Sequence, residues 1–203
     1  MMKNLKYILL AMILFPLVGM VSSCSEESAD EEEFGNWEQR NEAVISQWGA
    51  NSSYKKIVTY SKELTYPSLS NKDFIYVEVL ESGAGTESPL FTDTVRVAYR
   101  GHLIPTASYP EGYVFDQTYT DEFDWSKTGV SSLMTGSFVD GFSTALMNMH
   151  KGDRWRVRIP YSLAYGTSGS TSILGYSNLV FDIALYDFWH PGEIRPGFKS
   201  RGK

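Results

Sequence analysis

The sequence predicts an α+β domain in which an antiparallel sheet wraps around one short helix, with a helical extension before it. Three observations carry this. Alternation of period two recurs in FIYVEVL (74–80), VRVAYRG (95–101), RWRVRI (154–159) and LVFDIALYDF (179–188), as half-buried strands require. One stripe of helical period, Phe142, Ala145, Leu146 and Met149, lies between Val139 and His150. Several strands, one helix and further strands, without regular β–α alternation, describe a sheet with a helix laid on one face.

The elements follow in chain order. Residues 1–23 read as a leader: Lys3 and Lys6 precede an apolar run from Tyr7 to Val21. Such a run is short of the ~20 residues a membrane span needs and suits a signal-peptide core. It ends in Val21-Ser22-Ser23-Cys24, which resembles the bacterial lipobox. That resemblance implies a lipid on Cys24 and an extracytoplasmic chain anchored to a membrane, the outer membrane of a Gram-negative cell. The plainer alternative is a secretory peptide with an incidental cysteine. Cys24 is the only cysteine, so no intramolecular disulfide can form.

Residues 24–33 contain SEESADEEE, six acids and no bulky side chain, and are expected to be a solvated tether. Acids just after the cysteine resemble surface-export signals of some Gram-negative lipoproteins, although a spacer has the same composition. Eighteen Lys and Arg oppose 24 Asp and Glu. Once Lys3 and Lys6 leave with the leader the net charge is −8, of which the tether holds −6. The remainder is near neutral, which argues against nucleic acid as a partner.

Residues 34–72 form the extension. A helix is predicted from Phe34 to about Trp48, with Trp37, Val44, Ile45 and Trp48 on one face and Gly49 and Asn51 as its stop. The ordinary expectation is that this face docks on the domain or on its neighbour in a homodimer; an assembly interface is the alternative. Tyr54 to Asn71 reads as a connector. The domain proper spans 73–190, and residues 191–203 form a sparse basic tail expected to be disordered. Arg154, Arg156 and Arg158 alternate with Trp155, Val157 and Ile159, which places three guanidinium groups on one strand face, expected to be solvated.

The usual reagents of catalysis are missing. His102, His150 and His190 lack metal-ligand spacing, and there is neither a glycine-rich phosphate loop nor a GxSxG elbow. No cofactor is called for. What the chain offers is a set of aromatics from separate segments, Phe115, Phe142, Trp155, Tyr165 and Phe181, with Asp116 beside the first. Rotation about an X-Pro bond needs no more than a dry grip on proline and a few fixed hydrogen bonds.

In this ordered form the motifs carry a resemblance. V-x-V-x-Y-x-G at Val95–Gly101, Phe115-Asp116, D-G-F-x-x-A-L-x-x-M from Asp140, Gly152-Asp153, I-P-Y-x-L-A-Y-G ending at Gly166 and L-V-F-D from Leu179 are similar to FKBP-type peptidyl-prolyl isomerases. The resemblance covers about Asp93 to Phe188. It implies an FKBP-like sheet around one short helix and isomerase activity on proline-containing polypeptide clients. It also implies that Tyr99, Phe115, Phe142 and Phe181 line a proline pocket, with Phe142 where the family usually has tryptophan. Asp116 is implied to polarise the substrate amide, the Val139 N–H and the Tyr165 hydroxyl to hold carbonyls, and Ile173 to supply the apolar residue of the long loop. The sequence departs from the family in three places: Ile173-Leu174-Gly175 replaces I-P-P, PTASYPEG lengthens the connection before Phe115, and the usual aromatic after Phe-Asp is missing. Phe123 and Trp125 are candidates to replace it. A weakly catalytic binding or chaperone module on the same fold is the second reading.

Overall fold

Seven strands make one sheet: β1 (Lys55–Val58), β2 (Phe74–Glu81), β3 (Thr94–Leu103), β4 (Val114–Gln117), β5 (Ser131–Met134), β6 (Arg154–Ile159) and β7 (Leu179–Trp189). Within the described residues α1 (Trp37–Ala50) and α2 (Asp140–Leu146) accompany them. The computed structural model describes residues 33–62, 64–65, 67–195 and 197–198. The leader, Cys24 and the tether up to residue 32 lie outside the described residues. Among the described residues no helix is long and apolar enough to cross a membrane.

The strand order is β1-β2-β6-β7-β3-β4, all pairs antiparallel, and β5 shares the outer edge of β3 with β4. β7 therefore lies between β6 and β3, although it comes last along the chain. Most of the side chains predicted to face inward do so; Val79, predicted on the same face as Ile75 and Val77, is 47% exposed, beside the register shift at the end of the β2–β6 pairing. Ile75, Val77, Val95, Val97, Val157, Ile159, Ile183 and Leu185 are at most 1% exposed and pack with Phe142, Ala145, Leu146 and Met149 of the helical stripe. α2 is shorter than its sequence pattern. Its last turn tightens, with the N–H groups of Asn148 and Met149 donating to Ala145 and Leu146, and Met149 stays buried. A side chain on Gly141 would run into Ile159, so only glycine lets α2 lie this close to β6.

The other sheet face is also covered, and here the structure corrects the sequence reading. α1 docks across one end of it. Trp37 and Trp48 are buried against the domain of the same chain, and the Trp48 ring lies 6.0 Å from that of Tyr76. The expected docking is thus intramolecular, and the tryptophan stripe is not presented as an assembly interface. Tyr76, expected on the solvated side of its strand, is fully buried beneath α1. At the other end the 119–130 segment lays Tyr119, Phe123 and Trp125 over Ala98, Ala184 and Tyr186.

The arginine face is therefore not simply solvated. Arg156 makes two hydrogen bonds to Asp182, of 2.7 and 2.8 Å. Arg154 pairs with Glu81 and lies over the Phe123 ring; Arg158 pairs with Glu78 and lies 4.1 Å from the Tyr54 ring centroid. The connector holds one unexpected strand, β1, whose register sets Lys55 opposite Val77 and Val58 opposite Phe74. Its two lysines reach over the rings of Trp155 and Tyr76, and lysines on an edge strand discourage further pairing.

Contacts reach both ends of the described residues. Glu33, the last tether residue, accepts hydrogen bonds from the Thr106 hydroxyl and, at 3.1 Å, from the Ser108 N–H. In the tail, Arg195 donates to Ser132 at 3.0 Å, and Phe198 lies 6.0 Å from the Tyr186 ring.

Candidate functional site

Between α2 and the concave face of the sheet opens a cavity of about 450 Å³. Five separate segments build it, and each has a local reason to do so. β3 contributes Tyr99 and Gly101. Any side chain on Gly101 would collide with the Phe181 ring and come within 2.8 Å of that of Phe115, so glycine is what lets both rings cross the strand. β4 contributes Phe115 and Asp116. The β3–β4 register runs from Gly101 opposite Asp116 to His102 opposite Val114, which leaves Phe115 as the extra residue of a bulge. Bulges re-aim side chains, and this one sits beside the cavity.

β7 supplies Phe181, and the start of α2 supplies Phe138, Val139 and Phe142. The rings interlock edge to face. Phe181 lies 4.9 Å from Phe142 at 88° and 5.4 Å from Phe115 at 90°, and Tyr99 lies 5.7 Å from Phe142 at 82°. Such pairs add about 0.5–1.5 kcal/mol each beyond the area they bury. Phe142 and Phe181 are almost fully buried, so the floor is dry and fixed.

Polar groups cluster at the rim. The Tyr99 hydroxyl donates to Asp116 Oδ2 at 2.9 Å. Burial, and then the hydrogen bond to the Asp116 carboxylate and its charge, push the Tyr99 phenol up to about 12, so it stays a donor across the physiological range. Val139 is the residue before the first turn of α2, and its C=O accepts from Phe142 and Ser143. Its N–H makes no hydrogen bond among the described residues, and neither does the hydroxyl of Tyr165, which is 40% exposed.

The loop from Pro160 to Asn178 closes the remaining side with Tyr165, Ser170, Ser172 and Ile173. It is braced from within and from outside. Tyr165 C=O accepts from Gly169 N–H at 3.2 Å, Ile173 C=O from Ser170 N–H at 2.8 Å and Gly166 C=O from Tyr176 N–H at 3.0 Å. Tyr176 adopts φ 63°, a left-handed conformation that costs a non-glycine residue about 1–2 kcal/mol. From outside, the Asn41 side-chain carbonyl accepts from the Asn178 N–H and its backbone carbonyl from the Asn178 amide, both at 2.8 Å. The Trp37 indole donates to Ser177 at 2.9 Å. The extension helix is thus a buttress for the cavity wall.

The structure brings together eight of the residues predicted for the pocket: Tyr99, Phe115, Asp116, Val139, Phe142, Tyr165, Ile173 and Phe181. Trp155 stays in the core, opposite Val79 and Ile183, and does not line the cavity. Phe123 and Trp125 do not take the place of the missing aromatic, because they face the opposite side of the sheet. The residue the sequence reading missed is Phe138, stacked on Phe142 at 4.3 Å and 17°. Its position four residues before Phe142, across a helix start, was the available signal.

A sequence model of the FKBP-type peptidyl-prolyl cis-trans isomerase matches residues 85–186. The chain belongs to this family. It is 36% identical over 134 residues to the FKBP-type isomerase FkpA of Escherichia coli K12, and 34% identical over 120 residues to the macrophage infectivity potentiator of Trypanosoma cruzi. These alignments take in 66% and 59% of this chain but 42% and 52% of those relatives. The chain thus spans about half the length of the relatives it matches. The crystal structure of E. coli FkpA superposes with a TM-score of 0.56 at 29% identity, covering 74% of this chain and 58% of that one. A peptidyl-prolyl isomerase from Pseudomonas syringae gives 0.55 at 25% identity, covering 76% and 95%. The FKBP match begins after α1, β1 and β2, so the buttressing helix lies outside the stretch that defines the family.

Proposed function

We propose that this FKBP chain accelerates cis–trans rotation of X-Pro bonds in exported polypeptides. One observation carries the reading: a buried aromatic floor beneath a rim that holds one carboxylate and two donors with no partner among the described residues, the Val139 N–H and the Tyr165 hydroxyl. Rotation must cross a barrier of ~18–20 kcal/mol that arises from amide resonance. In the twisted amide that resonance is lost, its carbonyl and nitrogen are less polar, and a dry pocket favours it over the planar ground state. Each ~1.4 kcal/mol of such preference gives a factor of ten in rate. Phe115, Phe142 and Phe181 grip the pyrrolidine ring, Val139 and Tyr165 hold flanking carbonyls, and Asp116, oriented by Tyr99, biases the dipole of the turning amide.

The test is the isomerisation rate of a short X-Pro peptide with the purified chain. Wild type should accelerate it, and Asp116→Ala and Phe181→Ala should lose most of that acceleration while their circular dichroism is unchanged. No acceleration by wild type, whatever residue precedes proline, sinks the enzyme reading. The second reading, a binding or chaperone module, is favoured by the altered Ile173–Tyr176 stretch and would then stand.

The leader pattern supports a location outside the cytoplasm, with a lipid on Cys24 as the membrane anchor. Mass spectrometry should find a lipid adduct on wild type and none on Cys24→Ala. Two unmodified chains would refute the anchor.

A further inference from the structure

Next to the aromatic cavity lies a larger groove of about 980 Å³, and the two share Ser170, Ser172 and Ile173 as a common wall. The groove is built from two of the three places where the sequence departs from its family. The inserted PTASYPEG segment supplies Tyr109 and leads into Tyr113, and the replaced I-P-P stretch supplies Leu174. All three side chains stand 42–48% exposed on one depression. Large apolar groups gathered on an exposed surface mark a binding site more often than chance placement does.

The groove is also preformed. The Tyr109 and Tyr113 rings meet edge to face at 5.1 Å. The Tyr109 C=O accepts from the N–H groups of Thr106 and Gly112, and the Tyr113 C=O accepts from that of Leu103. Glu33 clamps the insertion at Thr106 and Ser108. A surface ordered beforehand loses little entropy when it is occupied.

We propose that this groove holds the stretch of client polypeptide next to the proline and selects clients with an apolar or aromatic side chain there. This rests on the isomerase reading. Ser170, Ser172 and Ile173 line both the cavity and the groove, so a chain whose proline occupies the first can continue along the second. The occupant is therefore the same polypeptide that supplies the proline, and the two sites act as one extended cleft.

The experiment compares a tetrapeptide with a longer peptide that carries the same X-Pro bond and Leu and Phe residues on both sides. The full chain and the Tyr109→Ser, Leu174→Ser and Tyr109→Ser/Tyr113→Ser variants are assayed on each, and the fluorescein-labelled longer peptide is titrated by anisotropy. The expected result is a KM for the longer peptide that rises roughly tenfold in the variants, with kcat and the tetrapeptide rates unchanged. Leu174→Met should restore wild-type KM. Equal losses on both peptides, or none on the longer one, overturn the proposal. If wild type turns over neither peptide, the isomerase reading falls by itself and anisotropy decides about the groove. Weaker binding in the variants then sustains it as a polypeptide site, and unchanged binding removes it. Sedimentation that shows the variants abolishing self-association would assign the groove to a second copy instead.

Discussion

Phe138 shows how one residue can change the meaning of another. Phe142 alone is a smaller floor than the tryptophan its family usually places there, but with Phe138 stacked on it at 4.3 Å the two rings make a broad plate. Phe138→Ala should lower kcat/KM on a short X-Pro peptide by roughly threefold to tenfold, through loss of its ring contacts with Phe142 and Tyr99, with little change in melting temperature. An unchanged kcat/KM would show that the plate is not used. At the rim, Asp116→Asn keeps an acceptor for Tyr99 but removes the charge. A charge-assisted contact is worth about twice a neutral one, so a fall of about tenfold in kcat without a shift in KM is expected. Gly101→Ala tests the floor from behind. Its methyl group must displace the Phe181 ring, and overpacking of this kind costs about 1–3 kcal/mol in urea unfolding, with loss of activity.

At the scale of elements, α1 is the part that most alters what the family motifs describe. Asn41 and Asn178 satisfy each other in a fully buried position, and neither has water to fall back on. Asn41→Ala should cost about 1–3 kcal/mol of unfolding free energy, because the buried Asn178 N–H loses its acceptor, the Asn41 side-chain carbonyl, while the Asn178 amide keeps the backbone carbonyl. It should also raise KM, since Asn178 ends the loop that carries Tyr165 and Ile173. A purely structural role would lower stability and leave KM alone. The strands β2, β3, β6 and β7 and the stripe of α2 were legible in the sequence because one side of each meets a single continuous core, which imposes strict periodicity. β1 was not, since KKIV is a four-residue edge strand whose two lysines point to opposite faces, leaving no apolar–polar alternation to show. Tyr76 and the arginine row were misjudged for a related reason: their covers, α1 and the 119–130 segment, come from distant parts of the chain. The pocket residues were legible through motif spacing. Phe138 was not, because it lies just before the helix whose periodicity identified its neighbours.

Across the whole molecule, charge ties the junction between the start of β3 and the end of β7 to pH. The His190 ring lies 2.8 Å from Asp93, which is fully buried and also accepts from the Leu90 N–H. Its hydrogen bond and charge hold the imidazole above its usual range, with Glu193 and Glu87 adding to the effect. A folded value above the unfolded one means that the stabilisation is complete below about pH 6.5 and is lost as pH rises through the raised value. Wild type should therefore lose urea resistance relative to His190→Gln as pH climbs above about 6.5, and parallel pH profiles would rule the pair out as a contributor. The order of the sheet has a consequence in time. β7 emerges last of the strands yet occupies the centre, between β6 and β3. Until residues 179–189 arrive, both neighbours present bare hydrogen-bonding edges, and Phe181 is absent from the pocket it floors. A chain that stops at residue 178 should give no cooperative unfolding transition. The chain thus has its own long-range closure to complete, after synthesis and with sticky edges exposed.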